Sequence, residues 1–229
     1  MLQSLREEVL EANLELVRRG LVLYTFGNAS GIDRAQGLVV IKPSGVPYDN
    51  MRAADMVIVD LDGKIVEGTM RPSSDLPTHL ILYRGFEGIG GVVHTHSRSA
   101  TAWAQARTPI PCFGTTHADY FRGDIPVTDY LSPQEIGSQY EINTGHVIVR
   151  RFAGVDPLQM PAVLVAGHAP FTWGRSVSDA AYNAVVLEEV AALALATVTI
   201  RSAAEPICSN LLDKHFLRKH GADAYYGQR

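Results

Sequence analysis

The chain has 229 residues, of which 46% are hydrophobic and 19% are charged, and its formal net charge at pH 7 is −4. This composition is typical of a globular domain with enough apolar material for a core, and the lack of any lysine or arginine run argues against a nucleic-acid partner. Because Glu188 and Glu189 interrupt the most apolar segment, no membrane span is predicted.

The first part of the chain predicts a helix followed by short strands. Apolar residues recur at helical spacing from Leu5 to Leu16, and Gly20 is a plausible end for this helix. A further helix is predicted over 75–86, with Asp75 as a candidate N-cap and Pro77 in the first turn. Three apolar runs between turn residues predict strands: GLVVIKP (37–43), DMVIVDL (55–61) and GKIVEG (63–68).

The second part predicts strands interleaved with longer helices. Ser132 and Glu135 form a capping-box pattern around Pro133, which predicts a helix start. Predicted strands are GGVVHTHS (90–97), HVIVRRF (146–152) and AVLVAGH (162–168), and predicted helices cover 98–106, 178–200 and 209–220. This order predicts a layered α/β domain. Because several connections are too short for helical crossovers, the sheet should be mixed or largely antiparallel.

Two histidines stand one residue apart in the strand-like run GVVHTHSR (91–98). Alternate side chains of a strand share a face, so His94 and His96 would lie together with Cβ atoms about 7 Å apart. Two imidazoles at that separation can reach one metal ion through bonds of about 2.1 Å. Taken alone, the pair fits a polar, half-exposed strand equally well.

A third candidate ligand is His168, which follows an apolar run directly and sits after Gly167, a residue that tolerates unusual backbone conformations. Asp75 is a candidate oxygen ligand, or it caps its helix. Three histidines and a carboxylate fit Zn²⁺ or a similar divalent ion. The remaining histidines are interpreted as surface or satisfied core residues: His79, His117, His146, His215 and His220.

Six motifs in a fixed order resemble the class II aldolase/epimerase superfamily, and within it the L-ribulose-5-phosphate 4-epimerases. They are GNASG (27–31), IKPSGV (41–46), RPSSDLPTH (71–79), VVHTHSRSATAWAQA (92–106), GTTHADYF (114–121) and LLDKHFLRKHGADAYYGQ (211–228). The resemblance implies a single three-layer α/β/α domain over residues 1–229 around a mixed, largely antiparallel sheet. Ala166 and Ala169 depart from the expected pattern around His168, where a histidine and a glycine are expected.

The resemblance also implies three groups of site residues. The implied metal ligands, for Zn²⁺ or alternatively Mn²⁺ or Co²⁺, are Asp75, His94, His96 and His168. The implied phosphate-binding residues are Gly27, Asn28, Lys42, Ser44, Gly45, Ser73 and Ser74. The implied proton-transfer residues are Asp119 and Tyr226, with His215 and Arg218 contributing to the same site. Taken alone, each of the short segments also fits an ordinary turn or helix cap.

The implied reaction inverts C4 of L-ribulose 5-phosphate to give D-xylulose 5-phosphate. C4 carries no acidic proton, so the expected route breaks the C3–C4 bond by a retro-aldol step and re-forms it on the other face of the aldehyde. A metal ion would stabilise the enediolate charge, and two groups would transfer protons, one on each face. Routes from arabinose, ascorbate and xylulose or lyxose converge on this reaction, and the sequence does not choose among them.

The resemblance further implies a homo-oligomer, a C4 tetramer, in which the tail of about residues 209–229 contributes to the site of a neighbouring subunit. The two isolated cysteines, Cys112 and Cys208, and the lack of a signal-like start predict a cytoplasmic protein. Two alternatives stay open. One is a class II aldolase acting on fuculose or rhamnulose phosphate, which would release the fragments. The other is a non-catalytic scaffold resembling the adducin head domain.

Overall fold

The computed structural model of the chain describes residues 1–226, which form one seven-stranded antiparallel sheet covered by helices on both faces. The strands follow one another in the order β4-β3-β2-β1-β5-β7-β6. Their bounds are β1 Gly27–Asp33, β2 Leu38–Ile41, β3 Val57–Asp60, β4 Ile65–Glu67, β5 Gly91–Thr95, β6 Ala162–Leu164 and β7 Pro170–Gly174. This arrangement confirms the predicted three-layer α/β fold, and each pair of neighbouring strands is antiparallel.

The helices begin and end close to the predicted positions in most cases. Their bounds are α1 Gln3–Arg18, α2 Leu76–Gly85, α3 Arg98–Ala106, α4 Thr115–Ala118, α5 Pro133–Ile136, α6 Tyr140–Arg151, α7 Val177–Ile200 and α8 Ser209–His220. The predicted capping box is present, because the hydroxyl of Ser132 accepts from the backbone N–H of Glu135, whose carboxylate accepts from the backbone N–H of Ser132. Gly20, beyond the end of α1, has a φ of 72°, as expected of a residue that ends a helix.

Two apolar cores lie on the two faces of the sheet. Alternation along β2 shows the division, because Val39 and Ile41 pack in one core and Val40 packs in the other. The first core is completed by residues of α2, α3, α6 and the middle of α7. The second core is completed by α1 and by the first turns of α7. The sheet is therefore buried on both sides along its centre, which fixes the register of the strands that carry the site.

The predicted strand over 146–152 is wrong, because residues 146–151 belong to α6 and Phe152 is its C-cap. Thr144, Val147 and Ile148 are buried at helical spacing, and α6 lies against α2. Close contact between the two helices requires a glycine: a Cβ at Gly145 would lie 2.6 Å from Cβ of Ile81. A run rich in valine and isoleucine favours a strand locally, and packing against α2 overrides this preference.

Two inner strands of the sheet, β1 and β7, were not predicted. The segment that begins at Gly27 was predicted to bind phosphate, with an ordinary turn as the alternative, and no strand was predicted there. It forms β1, which lies at the centre of the sheet between β2 and β5. Both faces of β1 are covered by helices, so its residues do not alternate between apolar and polar as those of a half-exposed strand do. The strand β7 begins at Pro170, which sequence rules place at the first position of a strand. Asp119 is the C-cap of the short helix α4.

The helix α7 is long and apolar enough to cross a membrane by length and composition, with a mean hydropathy of 1.7 over a window that is 28% buried. This is weak evidence, since the core helix of a folded domain meets the same criteria. The helix also makes specific contacts within the domain: the Glu188 carboxylate accepts from the backbone N–H groups of Ser99 and Ala100, at the start of α3. Its last turns expose Leu193 and Ile200.

Candidate active site

The predicted ligands and phosphate-binding residues meet at one end of the central strands of the sheet. In the register of the central strands, Asn28 of β1 lies opposite His94 of β5, and His94 lies opposite Phe171 of β7. His168 lies in the turn that leads into β7, and Asp75 directly precedes α2. Residues far apart in the chain are thus brought to the same place by antiparallel pairing.

His94, His96 and His168 form a cluster whose ligand atoms all lie within 4.8 Å of one another. The Nε2 atoms of His94 and His96 are 3.2 Å apart, and the rings of His94 and His168 are 4.9 Å apart between centroids. Three nitrogens at such separations can surround one divalent ion with bonds of about 2.0–2.1 Å after small side-chain adjustments. The donor set therefore fits a metal ion such as Zn²⁺.

Neighbouring groups fix the orientation of two of these rings. The Nδ1 atom of His94 lies 2.9 Å from the carbonyl oxygen of Pro170, so Nδ1 carries the proton and Nε2 keeps its lone pair. The Phe171 ring stacks on His94 with centroids 4.2 Å apart. The hydroxyl of Tyr140 lies 3.3 Å from Nδ1 of His168. If His168 donates to this hydroxyl oxygen, its Nε2 is likewise left free to bind a metal.

Burial favours the neutral form of all three imidazoles. Burial lowers the pKa of His94 and His96, and the neighbouring imidazole of His94 lowers that of His96 further. Burial and the other two rings lower the pKa of His168 to about 4. Metal binding requires the unprotonated ring, so protons do not compete for these nitrogens at neutral pH.

The carboxylate of Asp75 lines the same cleft as the histidines. It makes no cap bond to α2, and its Oδ2 instead accepts a hydrogen bond of 2.6 Å from the side-chain amide of Asn28. Burial raises the pKa of Asp75, but His94, His79 and the Asn28 hydrogen bond together hold it below its ordinary value. An ionised carboxylate beside three imidazoles forms a site that favours a cation. Asp75 remains a predicted metal ligand.

The cleft has a volume of about 540 Å³ and is lined by all the predicted phosphate-binding residues. The segments 42–45 and 71–75 run side by side, because Ser44 donates to the Arg71 carbonyl and Ser73 donates to the Lys42 carbonyl, both at 2.9 Å. Gly45 has a φ of 69°, a conformation that suits glycine, and no atom lies where its Cβ would be. Hydroxyls and the start of α2 thus face the histidine cluster across one cavity.

The predicted proton-transfer residues form a second cluster, and no residue of it lines this cleft. The Asp119 carboxylate accepts two hydrogen bonds from Arg218, at 2.7 and 3.0 Å, and lies 3.0 Å from Nδ1 of His215. Tyr226 lies against Arg218, with its ring centroid 5.0 Å from the guanidinium carbon. Burial raises the pKa of Asp119, but Arg218 and His215 outweigh it and hold the pKa below its ordinary value.

Sequence analysis missed several residues of the site. Tyr140 and Pro170 orient the histidines, Phe26 lines the cleft, and Tyr48 lies beneath it. Only Phe26 had a signal, since it directly precedes the motif at 27–31. A second cleft of about 570 Å³ lies between α1 and α7 and contains none of the predicted site residues.

The comparison with protein families gives a match to the class II aldolase and adducin N-terminal domain over residues 7–195. The chain belongs to this family. The match ends before α8, so it does not include His215, Arg218 or Tyr226. The relatives described next align with the whole chain and therefore include those three residues.

Two relatives align with this chain over its full length. Proteins named L-ribulose-5-phosphate 4-epimerase UlaF from Salmonella paratyphi B and Salmonella paratyphi C are each 56% identical over 228 residues, which is 100% of both chains.

Among solved structures, a putative aldolase/epimerase/decarboxylase, YgbL from Klebsiella pneumoniae, is 28% identical, with a TM-score of 0.73, covering 93% of this chain and 97% of the other. An L-fuculose 1-phosphate aldolase has a TM-score of 0.78 at 24% identity, covering 93% and 94%, a similarity that shows the fold alone.

Proposed function

We propose that this chain is an L-ribulose-5-phosphate 4-epimerase, an isomerase that inverts C4 by breaking and re-forming the C3–C4 bond. The observation that carries the proposal is the position of His94, His96 and His168 in the cleft that Lys42 and Ser44 also line. A metal site and an anion site in one cavity suit a small sugar phosphate. The full-length relatives named for this activity support the same substrate.

The family is metal-dependent, and the three histidines with Asp75 are the residues that would hold the ion, which we propose to be Zn²⁺. A bound divalent ion would act as a Lewis acid toward the negative charge that forms when the C3–C4 bond breaks. Mn²⁺ and Co²⁺ accept similar ligands and are the alternatives. Tyr140 and Pro170 would keep the imidazoles in the orientation that binding requires.

Asp119 and Tyr226 are the proposed proton-transfer groups. As the C3–C4 bond breaks, the C4 hydroxyl must lose its proton, and when the bond re-forms on the other face the new C4 oxygen must regain one. The ionised Asp119 carboxylate, held by Arg218 and His215, suits the acceptor in one direction. The hydroxyl of Tyr226 suits the donor on the opposite face, and the roles exchange in the reverse direction.

The phosphate would be held by the cleft while the aldehyde carbonyl turns. Lys42 supplies a positive charge, and Ser44, Ser73 and Ser74 supply hydroxyls. The phosphate belongs to the two-carbon fragment that rotates, so these contacts would keep that fragment in the site. This retention is what distinguishes an epimerase from an aldolase that releases its products.

We further propose a C4 tetramer in which the cluster around Asp119 completes the site of a neighbouring subunit. Two observations support this. The cluster does not line the cleft of its own chain among residues 1–226, and the last turns of α7 expose Leu193, Leu195 and Ile200. Exposed apolar side chains in this number suit a subunit contact. The free thiols of Cys112 and Cys208 support the predicted cytoplasmic location.

The test is to incubate the purified, zinc-loaded protein with L-ribulose 5-phosphate and to identify the products by NMR. We expect D-xylulose 5-phosphate to form without accumulation of dihydroxyacetone and glycolaldehyde phosphate. Accumulation of the two fragments would favour the aldolase alternative. No turnover in a protein that binds zinc would favour the scaffold alternative.

A further inference from the structure

Tyr48 is a buried tyrosine beneath the phosphate side of the cleft. It begins the 3-10 turn Tyr48–Asn50, three residues after Gly45, and its side chain is 5% exposed. It is not among the residues that line the cleft. Its hydroxyl and its ring face, however, each meet a residue that does.

The first contact is a hydrogen bond that the Tyr48 hydroxyl donates to the carbonyl oxygen of Gly27, at 2.7 Å. Gly27 and Asn28 form one wall of the cleft, and the segment 42–45 forms another. The bond joins positions 21 residues apart in the chain. Tyr48 therefore adds a side-chain tie between the two walls, beyond the backbone pairing of β1 with β2.

The second contact is between the Tyr48 ring and the ammonium group of Lys42, which lies 4.8 Å from the ring centroid. Lys42 is 2% exposed, and its ammonium donates to the carbonyl of Pro43, at 3.1 Å. Among the described residues 1–226 it forms no ion pair. A buried cation without an anion is costly, and an aromatic face offsets part of that cost.

We propose that Tyr48 is a positioning residue for the phosphate of the substrate, which holds Lys42 toward the cleft with its ring and ties the two walls together with its hydroxyl. The inference rests on the proposed function, because it assigns the anion at this site to the substrate phosphate. It adds a residue outside the cleft to the determinants of phosphate affinity. Burial also lowers the pKa of Lys42 to about 8, so the ammonium stays charged at neutral pH.

The test is calorimetric titration of the zinc-loaded protein with inorganic phosphate. Tyr48→Phe removes only the hydroxyl, and we expect the dissociation constant to rise about fivefold, the effect of one neutral hydrogen bond. Tyr48→Leu also removes the ring face, and we expect a further rise of about fivefold. With L-ribulose 5-phosphate as substrate, KM should rise in the same order while kcat changes by less than about twofold.

Two further variants separate this role from general loosening of the fold. Tyr83→Phe is the matched control, because Tyr83 is a buried tyrosine whose hydroxyl also donates to a β1 carbonyl, that of Ser30, at 2.9 Å. It should lower thermal stability without changing phosphate affinity. In a Lys42→Met background, the additional effect of Tyr48→Leu over Tyr48→Phe should disappear, because the ring then has no cation to hold.

Three other outcomes would each refute a different part of the proposal. If wild-type protein binds phosphate and both Tyr48 variants bind it equally well, the role of Tyr48 is refuted and the proposed function stands. If Tyr83→Phe weakens phosphate binding as much as Tyr48→Phe does, the effect is not specific to Tyr48 and the inference fails. If zinc-loaded wild-type protein binds no phosphate, the anion site and the role of Tyr48 are both refuted, and the proposed function is then decided by product analysis alone.

Discussion

Mixing two inactive variants tests whether each site is built from two subunits. His96→Asn removes a proposed metal ligand, and Asp119→Asn removes a proposed proton-transfer group from the cluster that does not line the cleft. Each variant alone should lose about 10²–10⁴-fold in kcat, the range expected for a missing proton-transfer group or metal ligand.

The recovery expected from the mixture follows from the geometry of a closed ring. Suppose that each site combines the cleft of one subunit with the Asp119 cluster of the next. In randomly mixed rings of the two variants, about one site in four then has an intact cleft beside an intact cluster. Subunits denatured together and refolded at equal amounts should therefore recover about one quarter of the wild-type activity.

The assay is the initial rate of D-xylulose 5-phosphate formation after refolding, with mixed tetramers verified by native mass spectrometry. Refolding each variant alone is the control and should give no recovery. If mixed tetramers form and their activity does not exceed the sum of the two single variants, the site is contained in one subunit. The proposal that the Asp119 cluster serves a neighbour would then be refuted.

Two other predictions concern Lys42 and the contact between α2 and α6. Because burial lowers the pKa of Lys42 to about 8, the ammonium that attracts phosphate is present below this pH and lost above it, so KM should rise as pH increases through about 8. Lys42→Met should raise KM at pH 7 and remove this pH dependence, and a wild-type KM that is flat from pH 7 to 9 would contradict the assignment. Gly145→Ala places a Cβ 2.6 Å from Cβ of Ile81 and should lower the free energy of unfolding by about 1–3 kcal/mol in urea titrations. His146→Ala, at an exposed neighbouring position, should change it by less than about 0.5 kcal/mol, and equal effects of the two substitutions would show that the contact is not tight.

The fold could be predicted where local signals and packing agree. The helix at Arg98–Ala106 was predicted with its observed bounds. The capping box at Ser132 was also predicted, because such a box is encoded by a few adjacent residues. The helix α6 was wrongly predicted to be a strand in part, since the packing of Gly145 against α2 is not visible in a local pattern. The central strand β1 was missed because its small residues do not alternate in polarity.

The candidate site shows the same limit. The spacing of His94 and His96 was enough to predict that they share a face. The apolar run before His168 marked it as a third candidate ligand, and the family resemblance supplied the phosphate-binding residues. Their meeting in one cleft depends on strand register, which the sequence does not give directly. Tyr48 and Tyr140 could not be predicted, because each acts through another residue and has no motif of its own.

The central claim is that three imidazoles from two segments hold one divalent ion in the cleft. The most direct test is a crystal structure of the zinc-loaded protein with anomalous diffraction recorded at the zinc edge. We expect one strong peak per chain, with nitrogens of His94, His96 and His168 at about 2.0–2.1 Å from it. A peak elsewhere, or a zinc ion in the cleft that His168 does not contact, would contradict the account.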